Sequence, residues 1–217
     1  MSSHIQVVII SGSIGAGKST FLKYIDALSE THKYVTVMPE NIDCWNYWLK
    51  KYYDGDKDAA VLLQMQIINH YLDITKRIQM LDDEYRALNV RGIVFVERSP
   101  YDVRNVFLDL NKNLYSKTYL SAYETMCDMI IHAYAYWQSA VRYCILQKID
   151  NNIEHVLNRS RLSEESMKIN YVKQVYDRYN VLIKNNNNII VIYNDGSIND
   201  LHKHAKEIFD YLLKIIK

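Results

Sequence analysis

Short apolar runs alternate with longer amphipathic segments along the 217 residues of the chain. The apolar runs are nearly continuous and rich in β-branched residues, which is typical of parallel strands covered on both faces. They predict strands at Ile5–Ile10, Tyr34–Met38, Ile93–Val96, Tyr143–Leu146 and Ile189–Tyr193. Because strands that alternate with helices favour an α/β fold, we predict a five-stranded parallel sheet flanked by helices.

The amphipathic segments between these strands predict the helices of the fold. The predicted helices are Lys18–Ser29, Asp43–Lys50, Asp58–Leu88, Asp102–Leu110, Thr118–Gln138, Ile153–Asn158, Glu164–Lys184 and Ile198–Ile216. No internal repeat and no interdomain linker is apparent in the sequence. We therefore expect one domain over residues 1–217.

Composition and charge argue against several classes of protein. Hydrophobic residues make up 49% of the chain and charged residues 24%, which is ordinary for a globular protein. The formal net charge is +1 with interspersed charges, so no basic face for a nucleic acid is indicated. The three cysteines lack metal-site spacing, no run is long enough for a membrane span, and no signal peptide is visible. We expect a soluble cytoplasmic protein.

A glycine-rich segment joins the first predicted strand to the first predicted helix. Residues Gly12–Thr20 satisfy G-x-x-x-x-G-K-[ST], the P-loop pattern. The glycines let backbone N–H groups point at phosphate oxygens, and the start of the helix adds its positive end. Lys18 supplies a charge for the β- and γ-phosphates, and the Ser19 hydroxyl can ligate Mg²⁺. We assign ATP binding to Gly12, Ser13, Gly15, Ala16, Gly17, Lys18, Ser19 and Thr20.

Two glutamates follow predicted strands, at the edge where open α/β sheets bind ligands. Glu40 comes after the second strand, and Glu97 ends the third strand beside Arg98. One glutamate can accept the proton of a hydroxyl group that attacks the γ-phosphate. A second, next to an arginine, can hold Mg²⁺ while the guanidinium offsets charge. We predict Glu40, Arg98 and Lys18 as catalytic residues, and Ser19 with Glu97 as the metal site.

Together these segments resemble the deoxynucleoside kinases, a family that includes deoxycytidine, deoxyguanosine and mitochondrial-type thymidine kinases. The resemblance covers residues 5–195 and depends on several spacings that hold at once. In that family a glutamate five residues before a tryptophan is the catalytic base and a pocket wall, and Glu40 and Trp45 match. A tyrosine eleven residues before a glutamine matches Tyr53 and Gln64.

The resemblance implies the substrate contacts of these residues. Gln64 would read the edge of the base, and Phe107, ten residues after Glu97, would stack on the ring. Tyr53 and Glu164 would bind the 3′-hydroxyl of the sugar, while Glu40 and Arg98 would face its 5′-hydroxyl. A small-molecule deoxynucleoside is therefore the implied substrate.

The resemblance also implies a lid and a quaternary structure. The segment from Arg159 to Glu164 reproduces the pattern R-x-R-x-x-E, which predicts an arginine-bearing lid at about 155–165 of a P-loop kinase fold. Arg159 and Arg161 would close over the triphosphate and screen its charge. Asp195 is assigned to the same ATP site. The resemblance implies ATP as the phosphate donor, Mg²⁺ as the metal ion and a homodimer as the assembly.

The predicted base pocket departs from family members that favour purines or deoxycytidine. Those proteins carry an aspartate and an arginine at the positions where Val103 and Tyr71 stand. Val103, assigned to substrate binding, leaves room for a 5-methyl group, so we lean toward thymidine and deoxycytidine. Asp102 is adjacent to Val103, so a shift of one residue in the alignment with the family would supply the missing aspartate. Tyr71 and Pro100 also resemble herpesvirus-type thymidine kinases, which raises the possibility of a viral member.

Simpler interpretations stand beside several of these assignments. Gln66 lies on the same predicted helix as Gln64 and is an alternative base reader, although the family spacing favours Gln64. Trp45 and Phe107 would be core aromatic residues in most proteins. The lid arginines could form an exposed charged turn. His155 stands where the family often has a further lid arginine, and we assign it no chemistry.

Two other functions compete with a deoxynucleoside kinase. A nucleoside monophosphate kinase, such as a thymidylate kinase, shares the P-loop and arginine lid but needs basic groups for the acceptor's phosphate. No arginine lies near Glu40 in the sequence, which argues against it. A structural relative without activity should have lost Lys18, Glu40 and Glu97, and all of them are present.

Overall fold

The computed structural model describes residues 3–159 and 161–216. Its strands are β1 Ile5–Gly12, β2 Val35–Met38, β3 Gly92–Glu97, β4 Val141–Leu146 and β5 Ile189–Tyr193. They form one sheet in the order β2-β3-β1-β4-β5, and every neighbouring pair is parallel. Parallel neighbours need crossover connections, which the helices between the strands provide. The predicted α/β class and five-stranded parallel sheet are confirmed.

Helices cover both faces of this sheet. They are α1 Lys18–Ser29, α2 Asn46–Tyr53, α3 Lys57–Ala87, α4 Pro100–Asp102, α5 Asp109–Asn111, α6 Lys117–Ala133, α7 Ala135–Gln138, α8 Ile149–Asn158, α9 Ile169–Lys184 and α10 Ile198–Ile215. A π-helical segment, Val103–Leu108, joins α4 to α5, and 3₁₀ turns lie at Ile42–Cys44, Lys112–Leu114 and Leu162–Glu164.

The helices differ from the sequence prediction where a single residue leaves the helical conformation. The predicted helix Thr118–Gln138 is divided at Tyr134, whose backbone is extended (φ −131°, ψ 117°). The apolar pattern continues through this break, because Tyr136 and Trp137 in the second piece are also buried. Helix α2 likewise begins at Asn46, later than predicted, because a 3₁₀ turn precedes it.

The core follows the two-residue period of the central strand. Val7 and Ile9 of β1 pack in a cluster with residues of α3, α6 and α7 on one face of the sheet. Val8 and Ile10 pack with residues of α1 and α10 on the opposite face. Because both faces are covered, β1 and β3 are buried along almost their whole length, as their apolar sequences predict.

The predicted P-loop and the two predicted site glutamates lie at the carboxyl ends of strands β1, β2 and β3. β1 ends at Gly12 and continues into the P-loop, β2 is followed by Glu40, and β3 ends at Glu97. Ile10 pairs with Glu97 in the register of β1 and β3, so these ends lie side by side. No helix in the described part of the chain is long and apolar enough to cross a membrane.

Candidate active site

The P-loop lies between β1 and α1 with the geometry of a phosphate cradle. Gly17 has a left-handed backbone (φ +96°) and immediately precedes Lys18, the first residue of α1. A side chain at this position would be strained, so glycine is needed there. The Lys18 ammonium donates to the Ser13 carbonyl oxygen at 2.9 Å. Burial lowers the pKa of Lys18 to about 8, and the nearby positive charge of Arg98 adds to this shift.

An open cleft of about 610 Å³, which we call the donor cleft, runs along the P-loop to the lid. It contains most of the residues predicted to bind ATP. Those in its wall are Gly15, Gly17, Lys18, Ser19, Thr20, Arg159 and Arg161. Other residues in this wall were not predicted from the sequence, because they belong to no motif and most of them come from segments far from the P-loop in the chain. These include Lys23, Gln147, Asn151, His155, Asn158 and Asn194.

The remaining predicted ATP ligands lie beside the donor cleft and not in its wall. Ser13 and Ala16 are buried beneath the P-loop surface, and Gly12 packs against the backbone of Ile145. The exposed carboxylate of Asp195 accepts a hydrogen bond from the backbone N–H of Lys148 at 2.7 Å. The assignment of Asp195 to the ATP site therefore stays a prediction.

Ser19 and Glu97 meet at the mouth of the P-loop, as the predicted metal site requires. The Ser19 hydroxyl lies 3.2 Å from Glu97 Oε1, and the carboxylate also faces the backbone N–H of Glu40 at 3.5 Å. Hydroxyl and carboxylate oxygens are ligands that Mg²⁺ accepts, together with substrate phosphates. The described residues contain no cluster of three His, Cys, Asp or Glu side chains that would hold a metal without such phosphates.

Glu40 and Arg98 form an ion pair between the P-loop and the interior of the site. Arg98 Nη1 donates to Glu40 Oε2 at 2.5 Å, and 11% of each side chain is exposed. Burial raises the pKa of Glu40 above its usual range, while the charge of Arg98 opposes this shift. The carboxylate is therefore held in a fixed position and made more basic, which suits a proton acceptor.

The backbone at Arg98 is unusual. Its φ angle is +58°, in the left-handed region that residues with side chains rarely adopt. The Arg98 N–H donates to the carbonyl oxygen of Ile10 on the neighbouring strand at 3.0 Å, which holds this conformation. Its guanidinium lies 5.0 Å from the ring centre of Phe107. Strained backbone of this kind is commonly retained at sites where a side chain must be aimed.

A second, more enclosed cavity of about 100 Å³, the acceptor cavity, lies next to the donor cleft. Its wall includes seven of the eight residues predicted to contact the deoxynucleoside, although they are far apart in the chain. These are Glu40, Trp45, Tyr53, Gln64, Arg98, Phe107 and Glu164. The cavity and the donor cleft share Lys18, Ser19, Arg159 and Arg161, so the two spaces meet at the P-loop.

The two candidate base readers on α3 have opposite environments. Gln64 is 4% exposed and lies in the wall of the acceptor cavity, whereas Gln66 is exposed on the outside of the helix. The Oε1 atom of Gln64 has no hydrogen-bond partner among the described residues. A buried amide oxygen without a partner is costly unless a ligand supplies one. The geometry therefore favours Gln64.

The eighth predicted contact, Val103, lies elsewhere. It is buried in the core cluster with Tyr71 and Leu108, and the described wall of the acceptor cavity does not include it. The neighbouring Asp102 does not replace the missing acid. Its carboxylate accepts hydrogen bonds from the Ser99 hydroxyl at 2.7 Å and the Tyr179 hydroxyl at 2.8 Å. Both carboxylate oxygens are thus engaged within the protein.

Three polar residues in the cavity wall were not predicted from the sequence. The Tyr52 hydroxyl donates to Asn111 Oδ1 at 2.6 Å, and Asn111 Nδ2 donates to the Phe107 carbonyl oxygen at 2.9 Å. The ring of Tyr171 packs edge-on against those of Tyr52 and Tyr53. Tyr52 and Tyr171 could not be distinguished in the sequence, because the chain has 19 tyrosines and no motif spacing includes these two.

The lid joins the two spaces through an ion pair. Arg159 forms a two-pronged contact with Glu164, with Nε at 2.8 Å and Nη2 at 2.5 Å from the carboxylate oxygens. Arg161 lies 3.6 Å from the same carboxylate. Both arginines reach the donor cleft, so they do not form an exposed charged turn. Ser160, inside the predicted lid, lies outside the described residues.

Fold and site together define a P-loop kinase, with a triphosphate cradle and an enclosed acceptor cavity. The family model for deoxynucleoside kinases matches residues 8–217, so the chain belongs to the deoxynucleoside kinase family. No curated protein matches the sequence significantly. Among solved structures, a deoxyadenosine kinase from M. mycoides with bound dCTP is similar, with a TM-score of 0.68 and 16% identity. The match covers 95% of this chain and 100% of that one.

Proposed function

We propose that the protein transfers the γ-phosphoryl group of ATP to the 5′-hydroxyl of a deoxynucleoside, with a preference for pyrimidines. The observation that supports this most directly is the junction of the two spaces. The acceptor cavity opens onto the P-loop at Lys18 and Ser19, and the Glu40 carboxylate lines it there. A hydroxyl group held beside Glu40 would face the end of a triphosphate in the donor cleft.

In the proposed reaction Glu40 takes the proton of the 5′-hydroxyl as its oxygen attacks the γ-phosphorus and the bond to the β-γ bridging oxygen breaks. Arg98 holds Glu40 in place, and Lys18 binds the β- and γ-phosphates. Arg159 and Arg161 screen the charge that develops on the transferred group. Mg²⁺, bound by Ser19 and Glu97 together with the nucleotide, would supply further charge neutralisation.

The preference for pyrimidines is supported by the size and polarity of the acceptor cavity. At about 100 Å³ it is enclosed, and Tyr52, Asn111 and Phe107 form one continuous part of its wall. Gln64 offers an amide to the N3 edge of a pyrimidine. Because Asp102 is bound by Ser99 and Tyr179, the carboxylate of relatives that favour purines or deoxycytidine is missing from this wall, which favours thymidine.

A phosphorylation panel tests this proposal. Purified protein is incubated with ATP and each of the four deoxynucleosides, with uridine, cytidine and thymidine monophosphate as further acceptors. We expect the highest kcat/KM with thymidine and deoxycytidine. Higher kcat/KM with deoxyadenosine would refute the pyrimidine preference, and use of thymidine monophosphate but not thymidine would refute the choice of acceptor.

The proposal includes a homodimer in the cytoplasm that supplies DNA precursors from salvaged nucleosides. The family resemblance and the absence of paired cysteines in the sequence support it. Met80 on α3 and Met129 on α6 are exposed apolar residues. A helix-to-helix interface between two subunits would cover them. Sedimentation equilibrium at micromolar protein concentration checks the assembly, and a monomer there would refute it.

A further inference from the structure

Three buried amide side chains hydrogen-bond to the P-loop, and two of them, Gln147 and Asn194, also line the donor cleft. We call Gln147, Asn152 and Asn194 the amide clamp; their exposed fractions are 3%, 0% and 9%. Asn152 Nδ2 donates to the Ser13 hydroxyl at 2.6 Å, and Gln147 Nε2 donates to the Gly15 carbonyl oxygen at 3.1 Å. Asn194 Nδ2 donates to the Ala16 carbonyl oxygen at 3.0 Å, so consecutive parts of the loop are each held.

The clamp is one connected structure that contacts the loop closely. Asn194 Nδ2 also donates to Gln147 Oε1 at 3.1 Å, which links the ends of β4 and β5 next to the loop. A Cβ atom added to Gly15 would lie 2.5 Å from the backbone oxygen of Asn152, and one added to Gly17 would lie 2.8 Å from Asn194 Nδ2. The absence of side chains at Gly15 and Gly17 therefore also allows Asn152 and Asn194 to approach the loop closely.

A phosphate cradle needs its backbone N–H groups directed at the ligand, so the carbonyl groups of the loop point the other way. In a buried position these carbonyl oxygens need donors, and a peptide group without one can rotate to find a partner. The neutral amides of Gln147 and Asn194 donate to the Gly15 and Ala16 carbonyl oxygens, and the Asn152 amide donates to the Ser13 hydroxyl, without adding a charge to the cradle. We propose that Gln147, Asn152 and Asn194 are positioning residues that hold the P-loop in the orientation that binds the triphosphate.

The cost of the clamp supports a role beyond stability. The Oδ1 atom of the fully buried Asn152 has no hydrogen-bond partner among the described residues. A buried polar atom without a partner destabilises the fold, whereas an apolar residue of similar size would not. The amide of Asn152 is therefore explained by what its Nδ2 atom does for Ser13, and not by packing alone.

The test is calorimetric titration of ATP and of a deoxynucleoside into Asn152→Ala and Asn194→Ala, because the Gly15 carbonyl oxygen held by Gln147 is also approached by His155 Nδ1 at 3.1 Å. Because each variant removes one donor from a buried loop oxygen, we expect the Kd for ATP to rise about tenfold. The Kd for the deoxynucleoside should stay within about twofold. Asn180→Ala is the matched control: within the described part of the chain the Asn180 amide donates to the Tyr176 carbonyl oxygen of its own helix α9, so this variant should leave both constants unchanged. Unchanged ATP binding in the clamp variants, or equal weakening of both ligands, would overturn the proposal.

A second variant keeps the test decisive if Asn152→Ala does not fold. Ser13→Ala removes the same hydrogen bond from the loop side and should raise the Kd for ATP by a similar factor. The double variant Ser13→Ala/Asn152→Ala should bind ATP no more weakly than either single variant, because the bond is lost only once. Additive losses would show that Asn152 does not act through Ser13.

The inference rests on the nucleotide site of the proposed function, but the binding measurements that test it do not depend on whether the protein phosphorylates a deoxynucleoside. Binding constants need no turnover. If the wild-type protein binds ATP but phosphorylates none of the deoxynucleosides, the proposed function fails while the clamp can still be confirmed. If turnover is as proposed and the clamp variants bind ATP normally, only the clamp is refuted.

Discussion

The donor cleft and the acceptor cavity are built in different ways. The P-loop of the donor cleft is one continuous segment, Gly12–Thr20, and a cradle of this kind binds phosphate through backbone N–H groups. The acceptor cavity shares P-loop residues, but the rest of its wall comes from segments far apart in the chain: the segment after β2, α2, α3, the end of β3 and the segments that follow it, the lid and α9. Substitutions in the acceptor cavity should therefore change chemistry and choice of base, whereas donor binding should respond mainly to charge and loop geometry.

The largest effect is expected from Glu40→Gln, which removes the proton acceptor and keeps its shape. A positioned general base contributes about 10²–10⁴-fold to the rate, so kcat should fall by that factor. The Kd for ATP and for the deoxynucleoside should each change by less than about threefold, because neither ligand loses a binding contact that depends on the charge. Single-turnover kinetics and calorimetry measure these quantities.

The matched control is Glu30→Gln at the exposed end of α1, which should leave kcat unchanged. Near-normal turnover in Glu40→Gln would remove Glu40 from the base role. It would also break the contrast between the two regions, since the acceptor side would then bind substrate without contributing to the chemistry.

The next largest effect is expected at Gln64, a residue of the cavity wall whose carboxamide oxygen has no partner among the described residues. Gln64→Leu keeps the volume but leaves the base edge unpaired, which costs about 1–3 kcal/mol, or roughly 5- to 150-fold in kcat/KM. Gln66→Leu is the control two residues along the same helix, and it should change kcat/KM by less than about twofold. Steady-state kinetics with each deoxynucleoside give both values. Equal losses in the two variants would contradict the assignment of Gln64.

The difference between the two regions also explains what the sequence could predict. The P-loop and the sheet follow from local patterns, and β5 Ile189–Tyr193 and α1 Lys18–Ser29 have the predicted bounds. The placement of Glu40 and Gln64 followed from spacings shared with a family. The Tyr52–Asn111 hydrogen bond and the amide clamp depend on which distant segments meet, and nothing in the local sequence specifies that meeting.

Val103 is the reverse case, a substrate contact that was predicted from the sequence but lies outside the cavity wall. Its sequence position is one residue from Asp102, but the π-helical segment that begins there sets which side chains face the cavity. Val103 packs into the core and Phe107 faces the cavity. A π-helix advances its side chains by a different angle per residue from an α-helix, so contacts counted along the sequence shift to another face.

A third effect concerns pH and the donor cleft alone. The pKa of Lys18 is about 8 in the protein without nucleotide, and the phosphates of bound ATP would raise it. Below pH 8 the ammonium is already charged and ATP affinity should not depend on this group. Above pH 8 binding must take up a proton, so the Kd for ATP should rise by up to about tenfold per pH unit.

Calorimetry between pH 7 and 9.5 in buffers of different ionisation enthalpy measures both the affinity and the proton uptake. Deoxycytidine binding serves as the internal control, because a neutral nucleoside brings no phosphate charge to Lys18 and should not raise its pKa. A flat ATP profile with no proton uptake would show that Lys18 does not pair with the phosphates. A parallel change in deoxycytidine affinity would instead indicate loss of structure.

The smallest effect on catalysis is expected in the wall of the acceptor cavity, at the Tyr52–Asn111 hydrogen bond, where the change falls on stability instead. Tyr52→Phe leaves the largely buried Asn111 carboxamide without its 2.6 Å donor, which should lower the free energy of unfolding by about 1–3 kcal/mol. Adding Asn111→Leu removes the second partner and should recover most of that loss. The neighbouring Tyr53→Phe should do the reverse, raising the acceptor KM severalfold while leaving stability within about 0.5 kcal/mol. Urea unfolding and steady-state kinetics on the three variants separate the two roles. If Tyr52→Phe changed only KM, Tyr52 would be a substrate contact and not part of the wall that shapes the cavity.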